Sequence, residues 1–592
     1  MSFESIPHRL MKNARVRPHA PAYYEKREGV WRATGYAEYA KQVRAAARSL
    51  LALGCKAGSN VAILGFNRSE WTITDLAAMC IGGAATGIYT TCSASEVRYI
   101  VHHCEARVVL VENRAQWEKL NKERHNMPLL AHVVMMRGEA VDDPIAMSWE
   151  AFLQRGEAVD DAVVEHAIAA LEPAQLATLI YTSGTTGPPK AVMLSHDNLA
   201  WTASTVVDLV SATSADRLLS YLPLSHIAEQ VFSIHGPITM GAPVYFAQSF
   251  DSVAADLKEV RPTLFFGVPR VWEKMAKGIS TRLSTATGVK KRLASWAMMI
   301  AAQTNRYRLQ GRVVPTAFDV QFSLAQKLVF SKVKSAIGVD RARVLVSGAA
   351  PIARETLDTL AQMDIVVNEV YGQSEGTGPT TFNRPGSVKL GTVGQPFPGM
   401  DVRLADDGEI CVRGRNVFLG YYKDPHASAE TLFNGWLHSG DLGSFDDEGF
   451  LSITGRKKDI LITAGGKNVA PSNIEDALKA HEMIQDAVVI GDRRKFLSVL
   501  ITLNDDAVER YLAAHALERS QPPHEVAEVS QAVAQMVADV NHELARVEQV
   551  KKFTVLPRNF SLERGELTPT LKVKRHVVAE HFATEIEAMY AE

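Results

Sequence analysis

Along the first 170 residues, apolar and polar positions repeat in two alternating registers, one helical and one extended. Residues 36–53 place apolar side chains three and four apart, as an amphipathic helix does, and residues 71–81 are apolar on most sides. Short apolar runs at 60–64, 108–111 and 131–135 read as strands. Helix and strand in alternation argue for a doubly wound α/β sheet. The alternation continues through 195–455 and includes a longer helical, basic and apolar stretch at 272–337. From Asp401 to Ile453 the pattern changes to short strands with turns. The charges Arg456-Lys457-Lys458-Asp459 after Gly455 then mark a hinge, dividing the chain into 1–456 and 457–592. The second part reads as a small α+β module, with a loop at Gln521-Pro522-Pro523 and a helix over 526–547. The heptapeptide Arg-Gly-Glu-Ala-Val-Asp-Asp occurs at 137–143 and again at 155–161. One recurrence makes no solenoid, so both copies read as acidic surface turns.

Between two strand-like runs, 176–180 and 191–194, lies Tyr181-Thr182-Ser183-Gly184-Thr185-Thr186-Gly187-Pro188-Pro189-Lys190. Gly184 and Gly187 free the backbone to turn successive N–H groups inward, four hydroxyls add donors, and Lys190 adds a mobile charge. That equipment suits a polyphosphate. The Walker A loop is excluded, because it needs Gly-Lys-Ser/Thr opening a helix, and here two prolines and a strand intervene.

Further segments follow in order: Tyr221-Leu222-Pro223-Leu224-Ser225-His226, Ser347-Gly348-Ala349-Ala350-Pro351, Tyr371-Gly372-Gln373-Ser374-Glu375, Gly435-Trp436-Leu437-His438-Ser439-Gly440-Asp441, Gly455-Arg456-Lys457-Lys458-Asp459 and Leu567-Thr568-Pro569-Thr570-Leu571-Lys572. Together with the glycine- and threonine-rich run they resemble the adenylate-forming superfamily of acyl-CoA synthetases, adenylation domains and luciferases. The resemblance implies a large N-terminal domain of doubly wound α/β subdomains plus a small distorted β-barrel, followed by a small mobile α+β domain. It also implies ATP, Mg2+ and coenzyme A. The loop 182–190 would hold the β- and γ-phosphates through Thr182, Ser183, Gly184, Thr185, Thr186, Gly187 and Lys190. Glu375 would bind Mg2+, and Ser374 beside Gly372 would touch phosphate. Asp441 would take the ribose hydroxyls with Arg456 in support, and Tyr371 would stack on adenine opposite Gly348 and Ala349. Lys572, Glu375 and His226 are the implied catalytic residues. Many relatives carry Gly-Lys where this chain has Leu571-Lys572, and Lys574 is a near competitor for the catalytic role. Lys458 falls at the hinge, and Gly465 falls where a glycine lines the pantetheine tunnel.

Composition narrows the class. The 592 residues are 46% hydrophobic and 22% charged with a formal net charge of −2, so nothing global points to nucleic acid. Five cysteines without paired spacing suit a reducing compartment, and His102-His103-Cys104 reads as structural. No secretory signal and no run of 18 apolar residues is evident, so a cytoplasmic location is expected. Val289, Leu293, Trp296 and Ile300 recur at helical spacing between basic clusters, which leaves a peripheral membrane contact open. A homodimer stays open as well.

The acid to be activated is narrowed by one position. Leu224 stands where relatives that activate amino acids place an Asp, and no acidic residue precedes Glu229 in that motif. Residues 267–274, 222–229 and 462–471 look most like long-chain fatty acyl-CoA synthetases. The apolar run 234–246, with Gly236 and Gly241, is the candidate for part of an acyl tunnel. The alternatives are a fatty acyl-AMP ligase that delivers to a carrier protein, a CoA ligase for another apolar acid, and a non-catalytic nucleotide binder.

Overall fold

The computed structural model describes residues 3–138, 141–182, 188–464, 467–517 and 521–591. Its largest sheet has eight strands. Ala84–Ile88, Asn60–Leu64, Val108–Val111 and His132–Met135 run parallel through its centre. Nearly every residue in them is buried, which is why three of them read as short apolar runs rather than alternating ones, whereas Ala84–Ile88, interrupted by Thr86 and Gly87, carries no such signal. On one side Leu176–Thr182 and Lys190–Ser195 pair antiparallel, with Thr182 opposite Lys190, and Gly420–Tyr421 adds to the edge. The glycine- and threonine-rich run therefore joins two strands, as its sequence implies.

A second sheet sets Leu264–Gly267, Val344–Ser347 and Val367–Gln373 in parallel, then turns back through Gly378–Phe382. Five short strands between Asp401–Leu404 and Leu451–Arg456 form a bulged antiparallel sheet. Beyond it lies a three-stranded sheet with its own cores. Val489, Val499 and Ile501 face the helices Pro471–Lys479, Asp505–Ala514 and Ala527–Glu543, whereas Val488 and Leu500 face Arg575–His581 and Ala583–Tyr590. The two-residue alternation of a strand separates the faces.

The stretch 272–337 is helical as its periodicity predicts: Pro269–Ser284, Gly288–Arg308, Thr316–Ala325, a wider turn at Gln326–Phe330, and Ser331–Ile337. Ala297, Ile300 and Ala301 pack on Phe322, Ala325 and Phe330. The apolar stripe expected of Gly288–Arg308 is thus split: Ile300 joins this core, whereas Val289 is 81% exposed.

The second heptapeptide copy is not a loose surface turn. Arg155 ends one helix, Asp160 caps the next, and Gly156 is buried so tightly that a Cβ there would lie 2.6 Å from the Ser49 nitrogen. The first copy lies partly outside the described residues. His103 Nδ1 bonds the Tyr181 hydroxyl at 2.7 Å while Cys104 is buried, so the His-His-Cys tract serves packing. No helix among the described residues is long and apolar enough to cross a membrane.

Candidate active site

A single cavity of about 2540 Å3 gathers most of the residues marked by sequence. Its polar wall carries Thr182, Lys190, His226, Ala349, Tyr371, Gly372, Ser374, Glu375, Asp441, Arg456, Lys458 and Lys572. Ser183, Gly184, Thr185, Thr186, Gly187 and Gly465 lie outside the described residues. A site this large holds more than one small ligand, since typical pockets occupy roughly 300–1,000 Å3.

Asp441 is the anchor of the wall. It sits on Trp436–Phe445 directly opposite Arg456 on Leu451–Arg456, and the pairing of those strands makes them neighbours. Arg456 Nε donates to Asp441 Oδ1 at 2.8 Å, and the Tyr371 hydroxyl donates to Oδ2 at 2.8 Å. The carboxylate beside it raises the pKa of Arg456, and burial holds the Tyr371 phenol well above its ordinary value. Asp441 therefore fixes both the cation and the aromatic ring, and it lines the cavity with them.

Glu375 follows Val367–Gln373 in a short turn and lies well inside the cleft. Desolvation raises its pKa, opposed by the Tyr421 hydroxyl, which donates to Oε1 at 2.7 Å. The same Tyr421 ring receives Lys190, whose Nζ stands 5.0 Å from the ring centre. Tyr421 thus ties Lys190 to Glu375, and nothing in its local sequence marks it. Its signal is topological, since Gly420–Tyr421 is an edge strand beside Lys190–Ser195. Among the described residues no three His, Cys, Asp or Glu cluster to hold a metal. A lone carboxylate suits Mg2+, which binds through one or two carboxylates plus substrate phosphates and keeps its waters.

Lys572 stands at a sharp return of chain. Leu567 and Val573 bridge, Thr568 N–H donates to the Lys572 carbonyl at 2.7 Å, and Leu571 is left-handed at φ 61°. Gly-Lys in relatives fits that geometry, because glycine enters the left-handed region without the Cβ clash that leucine meets. The side chain projects into the cleft and keeps exposed surface there, yet the surrounding walls thin its hydration. Desolvation and then Arg456 lower its pKa, with Asp441 opposing. Lys574 does not line the cavity, which separates it from its competitor.

His226 faces the same space. Ala228 N–H donates to its Nδ1 at 3.1 Å, so the ring proton belongs on Nε2. Burial, and then Lys572, push its pKa down to about 4. It is a neutral donor, not a second cation.

Gly348 does not line the cavity, although its neighbours Ser347 and Ala349 do. A Cβ at Gly348 would lie 2.6 Å from Val370 Cγ1, so this glycine lets two parallel strands pack, while Ala349 turns left-handed at φ 68°. The apolar branch also departs from expectation. Gly236 and Met240 line it, but Ile234, Ile238, Val244 and Phe246 are core, and Gly241 caps a helix at φ 74°. The remaining apolar wall comes from distant segments, including Val206, Val210, Leu264, Val346 and Phe382.

The AMP-binding enzyme family matches residues 10–422, and the AMP-binding enzyme C-terminal domain matches 458–592. The long-chain-fatty-acid–CoA ligase ACSBG2 of Xenopus laevis is 38% identical over 96% of this chain and 81% of its own length. The long-chain-fatty-acid–CoA ligase FadD15 of Mycobacterium bovis is 36% identical over 99% and 97%. Among solved structures, the A-PCP didomain of carboxylic acid reductase from Segniliparus rugosus in complex with AMP superposes with a TM-score of 0.74 at 19% identity, covering 100% of this chain and 82% of that one. The o-succinylbenzoate CoA synthetase of Bacillus subtilis with ATP and magnesium gives 0.68 at 22% identity, covering 96% and 98%.

Proposed function

The chain belongs to the AMP-binding enzyme family, and from that premise we propose that it is an ATP-dependent long-chain fatty acid–CoA ligase. The observation that carries the reading is one cavity in which Lys572, His226, Glu375, Asp441 and Arg456 share the lining with apolar side chains such as Val206, Val210, Leu264 and Phe382. It agrees with the activity named for the ligases of Xenopus laevis and Mycobacterium bovis.

A carboxylate oxygen of the fatty acid attacks the α-phosphorus of ATP, and the bond to the β-phosphate oxygen breaks to release pyrophosphate. Attacker and target are both anions, so the step needs positioned cations. Lys572 supplies a point charge that neutralises carboxylate and α-phosphate together. His226 Nε2–H donates to the developing charge without adding one. Asp441 and Arg456 hold the ribose, Tyr371 and Ala349 border the base, and Thr182 and Lys190 border the β- and γ-phosphates. Mg2+, held by Glu375 and phosphate oxygens, would screen the polyphosphate charge. In the second step the CoA thiol loses its proton and attacks the acyl carbonyl, and AMP leaves with the bonding electrons. Residues 457–592 are read as the part that turns about Lys458 between the two steps, bringing Gly465 to the pantetheine. The five unpaired, buried cysteines fit work in a reducing, cytoplasmic setting.

The test is product analysis with MgATP and fatty acids from eight to twenty carbons, with and without CoA. Acyl-CoA and AMP formed only with CoA uphold the reading. Acyl-AMP that accumulates and ignores CoA would replace it with an adenylate-forming enzyme serving a carrier protein.

A further inference from the structure

Leu571 holds its backbone at φ 61°, in the left-handed region where the Cβ of a leucine crowds the following carbonyl oxygen. Such a conformation persists only where its surroundings impose it. Packing of the side chain does not impose it here, because Leu571 is 48% exposed. The constraint has to come from the backbone on either side. The next residue is Lys572, whose charge is felt at His226 and which itself feels Arg456 and Asp441.

Thr568 supplies that constraint. It is buried, and its N–H, its carbonyl and its hydroxyl are all engaged within 568–572. The N–H donates to the Lys572 carbonyl at 2.7 Å, and the carbonyl accepts the Leu571 N–H at 2.7 Å. Oγ1 accepts the Lys572 N–H at 3.0 Å and lies 2.8 Å from the Thr570 hydroxyl oxygen. Both main-chain polar groups of Lys572 therefore end on one residue. The root of the lysine is fixed before its flexible stem takes any rotamer, and a point charge works only from a fixed place.

The stem of this turn is fastened separately. Leu567 and Val573 bridge, and Lys574 N–H donates to the Glu566 carbonyl at 2.7 Å. The Glu566 carboxylate is fully buried and accepts from Arg558 at 2.7 and 2.6 Å and from the Ser561 N–H at 3.0 Å. Loss of the Thr568 hydroxyl thus loosens the tip of the turn and leaves its base in place.

We propose that Thr568 is a positioning residue, whose hydroxyl holds the left-handed turn that aims Lys572 into the cavity, and that the chain depends on this hydroxyl because residue 571 is leucine. The proposal rests on the reading of Lys572 as the cation of adenylation. Glycine enters the left-handed region without the Cβ clash, so Leu571→Gly should lessen the need for the hydroxyl. Thr568 and Leu571 are coupled on this account, whereas a threonine that only fills space would act independently of residue 571.

The experiment compares the full-length parent with Thr568→Val, Thr568→Ser, Leu571→Gly and Thr568→Val/Leu571→Gly. Thr568→Val keeps the shape and leaves the Lys572 N–H without its acceptor, so pyrophosphate release with palmitate and MgATP should fall about tenfold. Thr568→Ser and Leu571→Gly should each stay within about twofold of the parent, and the double variant should recover most of the loss. Thioester formation from supplied palmitoyl-AMP should stay near the parental rate in every variant, which reports an intact fold. The alkaline limb of adenylation should move upward in Thr568→Val, because a lysine released from its place is better hydrated. Labelling of the Lys572 amine against pH, read by peptide mass spectrometry, should show the same upward move with no substrate present. Parental adenylation together with parental labelling in Thr568→Val overturns the proposal, as does a double variant no better than Thr568→Val. Loss of both half-reactions with unchanged labelling overturns it too, because Thr568 would then serve the fold alone. A parent that releases no pyrophosphate with any fatty acid would remove the ligase reading, while the labelling of Lys572 still decides whether Thr568 places it.

Discussion

On the proposed reading, Lys572 would work with a thinly hydrated charge. The desolvation and the nearby Arg456 that lower its pKa also make its ammonium a stronger partner for two substrate anions. Adenylation should therefore decline on the alkaline side below the pH at which a free lysine titrates, because the required cation is lost as pH rises through a lowered pKa. Lys572→Arg should carry that limb upward while reducing the rate, as read from pyrophosphate release against pH. Lys572→Ala should cut adenylation about a hundredfold or more, yet leave thioester formation from supplied acyl-AMP near the parental rate. Loss of both half-reactions would contradict the role given to it. Tyr421 makes a second, independent case. Its hydroxyl bonds Glu375 and its ring carries Lys190. Tyr421→Phe keeps the ring and removes the donor, so adenylation should fall about tenfold. The apparent KM for MgATP should rise, whereas loss of stability alone would leave that KM where it is.

Among the elements, the helix Ser69–Cys80 shows how burial reaches beyond what periodicity predicts. Ten consecutive residues from Trp71 to Cys80 are buried, including Asp75, whose two carboxylate oxygens have no hydrogen-bond partner among the described residues. Burial raises its pKa to about 8. A raised acid pKa means that the folded chain holds a proton the unfolded chain has released. Stability therefore falls as pH rises from about 4 toward about 8 and levels off above. Asp75→Asn should remove that slope, so its thermal midpoint should exceed the parental one by more at pH 8 than at pH 6. Equal shifts at both would mean that Asp75 is not protonated in the fold. The helix itself was legible in sequence because its apolar content is continuous, and the strands at 60–64, 108–111 and 132–135 were legible as short apolar runs, whereas Ala84–Ile88 was not, because Thr86 and Gly87 interrupt it. A glycine in a motif does not say what its missing side chain makes room for, and at Gly348 the folded chain sets Val370 there. The acyl wall was missed for a related reason. Val206, Leu264 and Phe382 are ordinary core residues in their own segments, and only the folded chain brings them to one surface.

At the scale of the whole molecule, Lys457 pairs with Asp407 and Glu409 where the small part of the chain begins, and away from that junction the contacts that keep Lys572 at the cavity include modest ones. Thr91 Oγ1 donates to the Pro569 carbonyl at 2.8 Å, and Lys277 pairs with Glu482 at 3.0 Å across the two parts. Both members of the ion pair are about half exposed, so the pair contributes at most about 1 kcal/mol. On the proposed reading, in which the small part turns between the two steps, a weak contact would let it leave the first face, whereas a deep one would trap it there. Lys277→Glu sets like charges against each other and should disfavour the arrangement that adenylates, lowering adenylation relative to thioester formation about two- to fivefold. Lys277→Glu/Glu482→Lys restores opposite charges at the same two positions and should recover part of the parental ratio, because Glu482 also meets Arg510 at 3.5 Å and the swap sets a cation against it. The loss should shrink near 1 M salt, where the screening length falls to about 3 Å, the separation of the pair. If the single reversal lowers both half-reactions alike and the double change rescues neither, the pair stabilises the fold without governing which face meets the substrates.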